Sequence, residues 1–332
     1  MNKTPKIPSD KNKVSSLDVI RFTLRQTRQK MTFMLLRSWF TIDPLWRYRF
    51  VQYGLLMRVD KPIGTLLLLW PTLWALWLAT DGVPSIAHIV IFSCGVFLMR
   101  SAGCVINDYA DREIDGDVAR TKNRPLAKRT ITEKEALIVF IVLALCAFSL
   151  VLLLSTLAMY LSFGAIIIAT VYPFMKRYTY FPQIVLGMAF SMAIPMAFAA
   201  VQDEIPMAAW LLYITNLMWV LAYDTLYAMV DKKDDLKIGV KSTAIFFGEA
   251  DLQITAIVQA MFVFGMLLVG SKFELAYPYF ISLAIASALI VRQIYHSRNH
   301  QPEKCFESFI NNNWVGLVIF CGILLSKQVT QL

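Results

Sequence analysis

From residue 63 onward, polar and apolar positions alternate in blocks rather than singly. Apolar stretches cover roughly 63 to 80, 85 to 106, 135 to 154, 157 to 175, 181 to 201, 206 to 228, 252 to 270, 276 to 294 and 310 to 326, parted by short polar loops. A helix of about 20 such residues crosses the roughly 30 Å of bilayer hydrocarbon. The pattern therefore predicts an all-α membrane protein of about nine transmembrane helices. Pro71 and Pro195 fall inside spans, where neighbouring helices or cavity groups must take up the carbonyls they free.

The loops orient the bundle. Those after the even spans carry Arg112, Arg120, Lys122, Arg124, Lys128 and Arg129, then Lys176 and Arg177, then Lys232, Lys233, Lys237 and Lys241, then Arg298 and Lys304. The loops after odd spans hold Lys272 alone before the C-terminus. By the positive-inside rule the N-terminus and the even loops are cytoplasmic, and an odd span count puts the C-terminus outside.

Ahead of the spans, residues 1 to 14 are Lys-rich, carry Pro5 and Pro8, and are expected to be disordered. From Ser15 or Ser16 to about Phe40, Leu, Ile, Phe and Trp alternate with Arg21, Arg25, Arg28, Lys30 and Arg37, which predicts a basic amphipathic helix lying on a membrane surface. The chain thus divides into a basic extension, residues 1–50, and a transmembrane domain, residues 51–332. An Arg-rich, acid-poor start also fits an organellar transit peptide, so a mitochondrial inner membrane stands beside the bacterial inner membrane as a location.

Composition agrees with the pattern. Of 332 residues 57% are hydrophobic and only 17% charged, against about 25% charged in soluble domains. The formal charge of +9 is concentrated at the front, where residues 1–50 hold 11 Lys and Arg against three Asp. A basic tail before membrane spans seeks anionic lipid, whereas a nucleic-acid reader needs its basic surface on a folded soluble domain, so no nucleic-acid partner is expected. The five cysteines show no CxxC spacing, and most lie in apolar runs, which speaks against a zinc site or disulfide framework. His296 and His300 lie in a polar stretch and read as solvated loop residues.

The chemistry lies where two spans end in acids. If residues 107 to 115 stay helical, Asn107, Asp108, Asp111 and Asp115 fall within an arc of roughly 100°, and Asp117 points elsewhere. After the sixth span, Asp224, Asp231 and Asp235 share a face within about 40°. Interfacial acids balanced by neighbouring bases are the plain explanation for any one of them, but i,i+4 pairs on two helices of matching topology ask for more. Both stripes belong to even spans, so they can face each other across one cavity mouth on the cytoplasmic side.

Crowded carboxylates call for cations, and Mg²⁺ binds through one or two carboxylates completed by substrate phosphates. Two stripes suit ions that bridge a diphosphate. Lys122 and Arg124 are the bases best placed to neutralise it as it departs, although each also serves topology.

Asn107-Asp108-Xaa-Xaa-Asp111-Xaa-Xaa-Xaa-Asp115 with Asn123-Arg124-Pro125-Leu126, and Tyr223-Asp224-Thr225-Leu226-Tyr227-Ala228-Met229-Xaa-Asp231-Xaa-Xaa-Asp234-Asp235, resemble the two aspartate-rich signatures of the intramembrane aromatic prenyltransferases of the UbiA type, more narrowly those of ubiquinone biosynthesis. Asp60-Lys61-Pro62-Ile63-Gly64, Leu69-Trp70-Pro71-Thr72-Leu73-Trp74, Tyr172-Pro173-Phe174-Met175-Lys176-Arg177-Tyr178, Lys241-Ser242-Thr243-Ala244 and Asn311-Asn312-Asn313 extend the likeness over about residues 52 to 328. Lys128-Arg129 depart from the Ser-Gly pair common there.

The resemblance implies Mg²⁺-dependent transfer of a polyprenyl group from polyprenyl diphosphate to the carbon ortho to the hydroxyl of 4-hydroxybenzoate. It implies Asp111, Asp115, Asp231 and Asp235 as catalytic residues, with Asn107 and Asp108 joining them on the metal. Asn107, Lys122, Arg124, Tyr172, Lys176 and Arg177 are expected to bind substrate, Arg177 taking the acceptor's carboxylate. A sibling acting on haem, chlorophyllide or a naphthoate would share these acids. A transporter or lipid-binding module would scatter its acids along a path, whereas here they gather at one face.

Overall fold

The computed structural model describes residues 43–118 and 120–329. The disordered tail and surface helix expected within residues 1 to 40 lie outside the described residues. The chain divides into two units, residues 1–51 and 52–332. Of the first, residues 43–51 are described, in the opening turns of α1 (Pro44–Leu56), where Asp43 Oδ1 accepts the Leu45 N–H at 2.7 Å.

The second unit is helical, with no strand among the described residues. In order follow α2 (Ile63–Ala79), α3 (Ile86–Asp111), α4 (Glu133–Val151), α5 (Thr156–Val171), a 3-10 turn (Tyr172–Arg177), α6 (Pro182–Ser191), α7 (Ala193–Gln202), α8 (Met207–Ile238), α9 (Asp251–Lys272), α10 (Tyr277–Ser297) and α11 (Pro302–Val329). Helices stand at all nine expected stretches. Seven are long and apolar enough to cross a membrane by length and composition; α2, at 17 residues, is short, and α8, continuous over 32 residues, carries Asn216 and Asp224 among its apolar residues. The count of nine is thus approximate, and the chain is a multi-pass membrane protein.

The span that holds Pro195 is divided by a single turn residue. The apolar run divides at Met192 into α6 and α7, which places Pro195 in the first turn of α7, where the missing N–H costs least. Asn216 Nδ2 on α8 donates to Ser191 Oγ at 2.9 Å beside the break.

Indole rings crowd the core where α2, α8, α9 and α11 meet. Trp219 stacks on Phe262 at 5.7 Å and tilts against Trp74 at 5.3 Å. A buried indole N–H needs an acceptor, and the Asn run of α11 supplies two, Asn312 Oδ1 to Trp219 at 2.9 Å and Asn313 Oδ1 to Trp70 at 2.8 Å. Gly316 lets α11 approach this closely, since a Cβ there would lie 2.5 Å from Trp70 Cδ1. At the opposite extreme, α4 buries only Ala136, Leu143 and Ala147, and α5 only Ala158. Several of their other apolar side chains, Ile138, Val142 and Ile167 among them, are exposed, as on helices facing hydrocarbon.

Candidate active site

A cavity of about 1410 Å³ is lined by residues of α2 to α8 and of α11. Its wall on α3 follows a helical stripe through Phe92, Val96, Arg100, Cys104, Asn107 and Asp111. Nineteen residues separate the ends of that stripe, about 28 Å of rise, so the cavity runs nearly the depth of a bilayer. One end is charged. The other is apolar, lined by Phe148, Phe163, Met192 and Met196.

The charged end forms where α3 and α8 finish. Helix α3 stops at Asp111, one turn earlier than the arc through Asp115 requires, and residues 112 to 117 continue as turns. The Asp115 N–H still bonds Asp111 O at 2.9 Å, and Thr121 Oγ1 donates to Asp115 O at 2.8 Å, which folds the loop back over the helix end. A capping box of Thr132 and Glu135 then starts α4. Helix α8 runs past its apolar part to Gly239, whose left-handed backbone, φ 73°, lets its N–H return to Asp235 O.

Of the site residues expected from sequence, Asn107, Asp108, Asp111, Arg124, Tyr172, Lys176, Asp231 and Asp235 line this one cavity. Most of its acids are held by bases. Arg58 Nη2 reaches Asp108 Oδ1 at 2.8 Å, Arg124 Nη1 bridges Asp108 at 3.1 Å and Asp115 at 2.8 Å, Lys176 pairs with Asp111, and Arg120 Nε meets Asp231 Oδ1 at 3.0 Å. Asn107 Nδ2 donates to Asp111 Oδ2 at 3.3 Å. Asp117 is exposed.

Three expected residues lie elsewhere. Asp115 is buried beside Arg124 and does not face the cavity, because the chain has left the helix that would have aimed it there. Burial pushes its carboxyl up to about 6, Arg124 pulling the other way and Asp111 and Asp108 adding to the rise. Lys122 is exposed on the loop, and Arg120, two residues earlier, takes the inward place, its guanidinium 4.7 Å over the Tyr227 ring. Arg177 donates to Ala110 O at the end of α3 and is absent from the cavity wall, because the tight 3-10 turn aims it sideways. His300 differs from a freely solvated residue too, since its Nε2 lies 2.8 Å from the buried Asp251, which Lys232 also meets at 2.7 Å. Lys232 is thereby drawn from the cavity.

Arg100 is not among the site residues expected from sequence. This arginine sits within span α3, facing the cavity, with its Nη1 on Cys104 Sγ at 2.8 Å and its Nε buried without a partner. Gly64 makes room for it, since a Cβ there would fall 2.5 Å from Nε. The signal was available, because an ionisable residue inside a span is costly and marks a functional site by default.

Among the described residues no three acidic, histidine or cysteine side chains converge on one point, so there is no preformed metal cage. The donor set nonetheless suits a hard cation that arrives with phosphate. Asp111, Asp231 and Asp235 face the cavity, and Asp111 Oδ1 is buried with no hydrogen-bond partner.

Known proteins align with this architecture. Residues 68–317 match the model of the UbiA prenyltransferase family. The chain is 55% identical over 281 residues, covering 85% of it and 94% of its relative, to a 4-hydroxybenzoate octaprenyltransferase of Saccharophagus degradans. Among solved structures it resembles a UbiA homolog from Aeropyrum pernix K1, with a TM-score of 0.71 and 24% identity over 79% of this chain and 98% of that one. A UbiA homolog from Archaeoglobus fulgidus bound to GPP and Mg²⁺ gives a TM-score of 0.61 at 19% identity, over 83% and 99% of the two chains. The chain belongs to the UbiA prenyltransferase family.

Proposed function

We propose that the protein transfers a polyprenyl group from polyprenyl diphosphate to the carbon ortho to the hydroxyl of 4-hydroxybenzoate, with Mg²⁺ as cofactor. One observation carries the reading. Two acidic helix ends meet at the charged mouth of a cavity whose far end is apolar, and Arg100 lines the same cavity two turns of α3 before Asn107. The family and the relative at 55% identity support it.

Asp111, Asp231 and Asp235, with Asn107, would hold Mg²⁺, while Asp108 and Asp115 fix Arg58 and Arg124 in place. When bound, the metal supplies electrostatic stabilisation to the departing diphosphate. Arg120, Arg124 and Lys176 add positive charge at the same mouth. Tyr172, Tyr223 and Tyr227 line the cavity, and their aromatic rings suit an allylic cation formed as the C–O bond breaks. The apolar depth along α4 and α5 receives the prenyl tail and keeps water from the cation.

Arg100, rather than Arg177, takes the acceptor's carboxylate. It is the cation that lies inside the cavity below the diphosphate site, and its Nε is free to donate. The charged mouth faces the cytoplasm of a bacterial inner membrane, as the basic even loops favour, and the extension of residues 1–50 forms a separate basic element against anionic lipid.

Mass spectrometry of membranes supplied with 4-hydroxybenzoate, mixed polyprenyl diphosphates and Mg²⁺ tests the reading. The expected product is 3-polyprenyl-4-hydroxybenzoate. Its absence, with prenylation of a different acceptor from a panel, overturns the assignment.

A further inference from the structure

One acid of the second stripe has no part in the chemistry so far. Asp224 precedes Asp231 by seven residues, two turns of α8 or about 10.5 Å along the helix. That separation is too great to share an ion with Asp231, because Mg²⁺ ligands lie at about 2.0–2.1 Å. Asp224 lines the cavity, and neither a hydrogen bond nor an ion pair ties it to any described residue, in contrast to Asp108, Asp111, Asp115 and Asp231. It is therefore neither a ligand of the Asp231 metal nor a structural tie.

Its depth is informative. On α3, Arg100 precedes Asn107 by the same seven residues, and Asn107 and Asp231 line the same charged mouth. Arg100 and Asp224 thus form a second polar layer two turns beneath the metal-binding one, and both line the cavity. Tyr223 and Tyr227 flank Asp224 on α8. A ring anchored by its carboxylate at Arg100, with its reactive carbon turned toward the diphosphate, lies in this layer.

We propose that Asp224 is the proton acceptor of the transfer, a role resting on the reaction assigned above. The ring's π electrons form the new C–C bond to the first carbon of the prenyl group, and the C–O bond to diphosphate breaks with its electron pair leaving on oxygen. The substituted ring carbon then carries both the prenyl group and its hydrogen. That hydrogen passes as a proton to the Asp224 carboxylate, the C–H pair restores aromaticity, and the proton reaches water when product leaves.

The test is an isotope experiment in membranes, using 4-hydroxybenzoate deuterated at both carbons ortho to the hydroxyl. With Asp224 in place, proton loss is expected to be fast after C–C bond formation, so that deuteration leaves the wild-type rate unchanged. In Asp224→Asn, turnover at saturating acceptor falls by about a hundredfold or more, a primary isotope effect appears, and retention of labelled polyprenyl diphosphate with Mg²⁺ stays at the wild-type level. Asp224→Glu recovers turnover and loses the isotope effect, whereas Asp231→Asn is slow without one. A D224N enzyme within threefold of wild type overturns the proposal, as does a slow one that shows no isotope effect or fails to retain the diphosphate. If wild-type membranes give no prenylated 4-hydroxybenzoate, the reaction itself is wrong and this role falls with it.

Discussion

Arg120 and Asp231 lock the loop after α3 onto α8, with Arg120 Nε 3.0 Å from Asp231 Oδ1 and the guanidinium lying over Tyr227. The contact is a fork, so the geometry matters as well as the charge. Arg120→Lys is expected to raise the KM for polyprenyl diphosphate about tenfold or more, in keeping with the roughly 1.5–3 kcal/mol of a charged hydrogen bond, and to leave the KM for 4-hydroxybenzoate unchanged. Steady-state kinetics with each substrate varied in turn decides it. A shift confined to the acceptor KM runs against this placement.

The two helix ends act as one site only if each is indispensable. Asp111→Asn and Asp231→Asn are each expected to lower prenyl transfer by about two to three orders of magnitude, with membrane abundance unchanged. Chelation of divalent cations abolishes activity in the wild type, and added Mg²⁺ restores it. Near-normal product from either variant removes the metal assignment.

The pH response follows from Asp115, which titrates at about 6 in the folded chain because burial outweighs the pull of Arg124. Above that pH the Asp115–Arg124 ion pair is complete, and it is lost as pH falls through about 6. The folded pKa lies above the ordinary carboxyl value of 3.8, so protonation between about 4 and 6 favours the folded state. A fall in activity there is therefore not unfolding at this group. The KM for diphosphate is expected to rise as pH drops from 7 to 5. In Asp115→Asn that dependence should flatten; an unaltered profile excludes Asp115 as its source.

Arg100 and Arg177 separate two accounts of acceptor binding. Arg100→Lys is expected to raise the KM for 4-hydroxybenzoate about 10- to 100-fold, through loss of a charge-assisted contact of roughly 1.5–3 kcal/mol, with the diphosphate KM held. Arg177→Lys should leave the acceptor KM unchanged, since Arg177 spends its hydrogen bond on Ala110 O. The reverse pattern restores the sequence-based assignment.

Residue spacing alone determined where the helices lie and which helix ends carry acids. Each helix satisfies its own backbone, and apolar runs of span length have no other stable form in lipid. The pairing of Asp111 with Asp231 and Asp235 was likewise legible, because loop charge puts both stripes on one side of the membrane. Which individual side chains face inward was decided by the tertiary structure. Asp115 turned to Arg124 when α3 ended at Asp111, Arg120 took the place expected of Lys122, and the 3-10 turn after α5 swung Arg177 away while keeping Tyr172 and Lys176 in the wall. Helical periodicity governs a side chain's direction only while the helix lasts, and beyond its end the neighbouring helices decide. Arg100 lay inside a regular helix, so its place was open to the sequence, but only the packing of the helices brings it and Asp224 to one cavity.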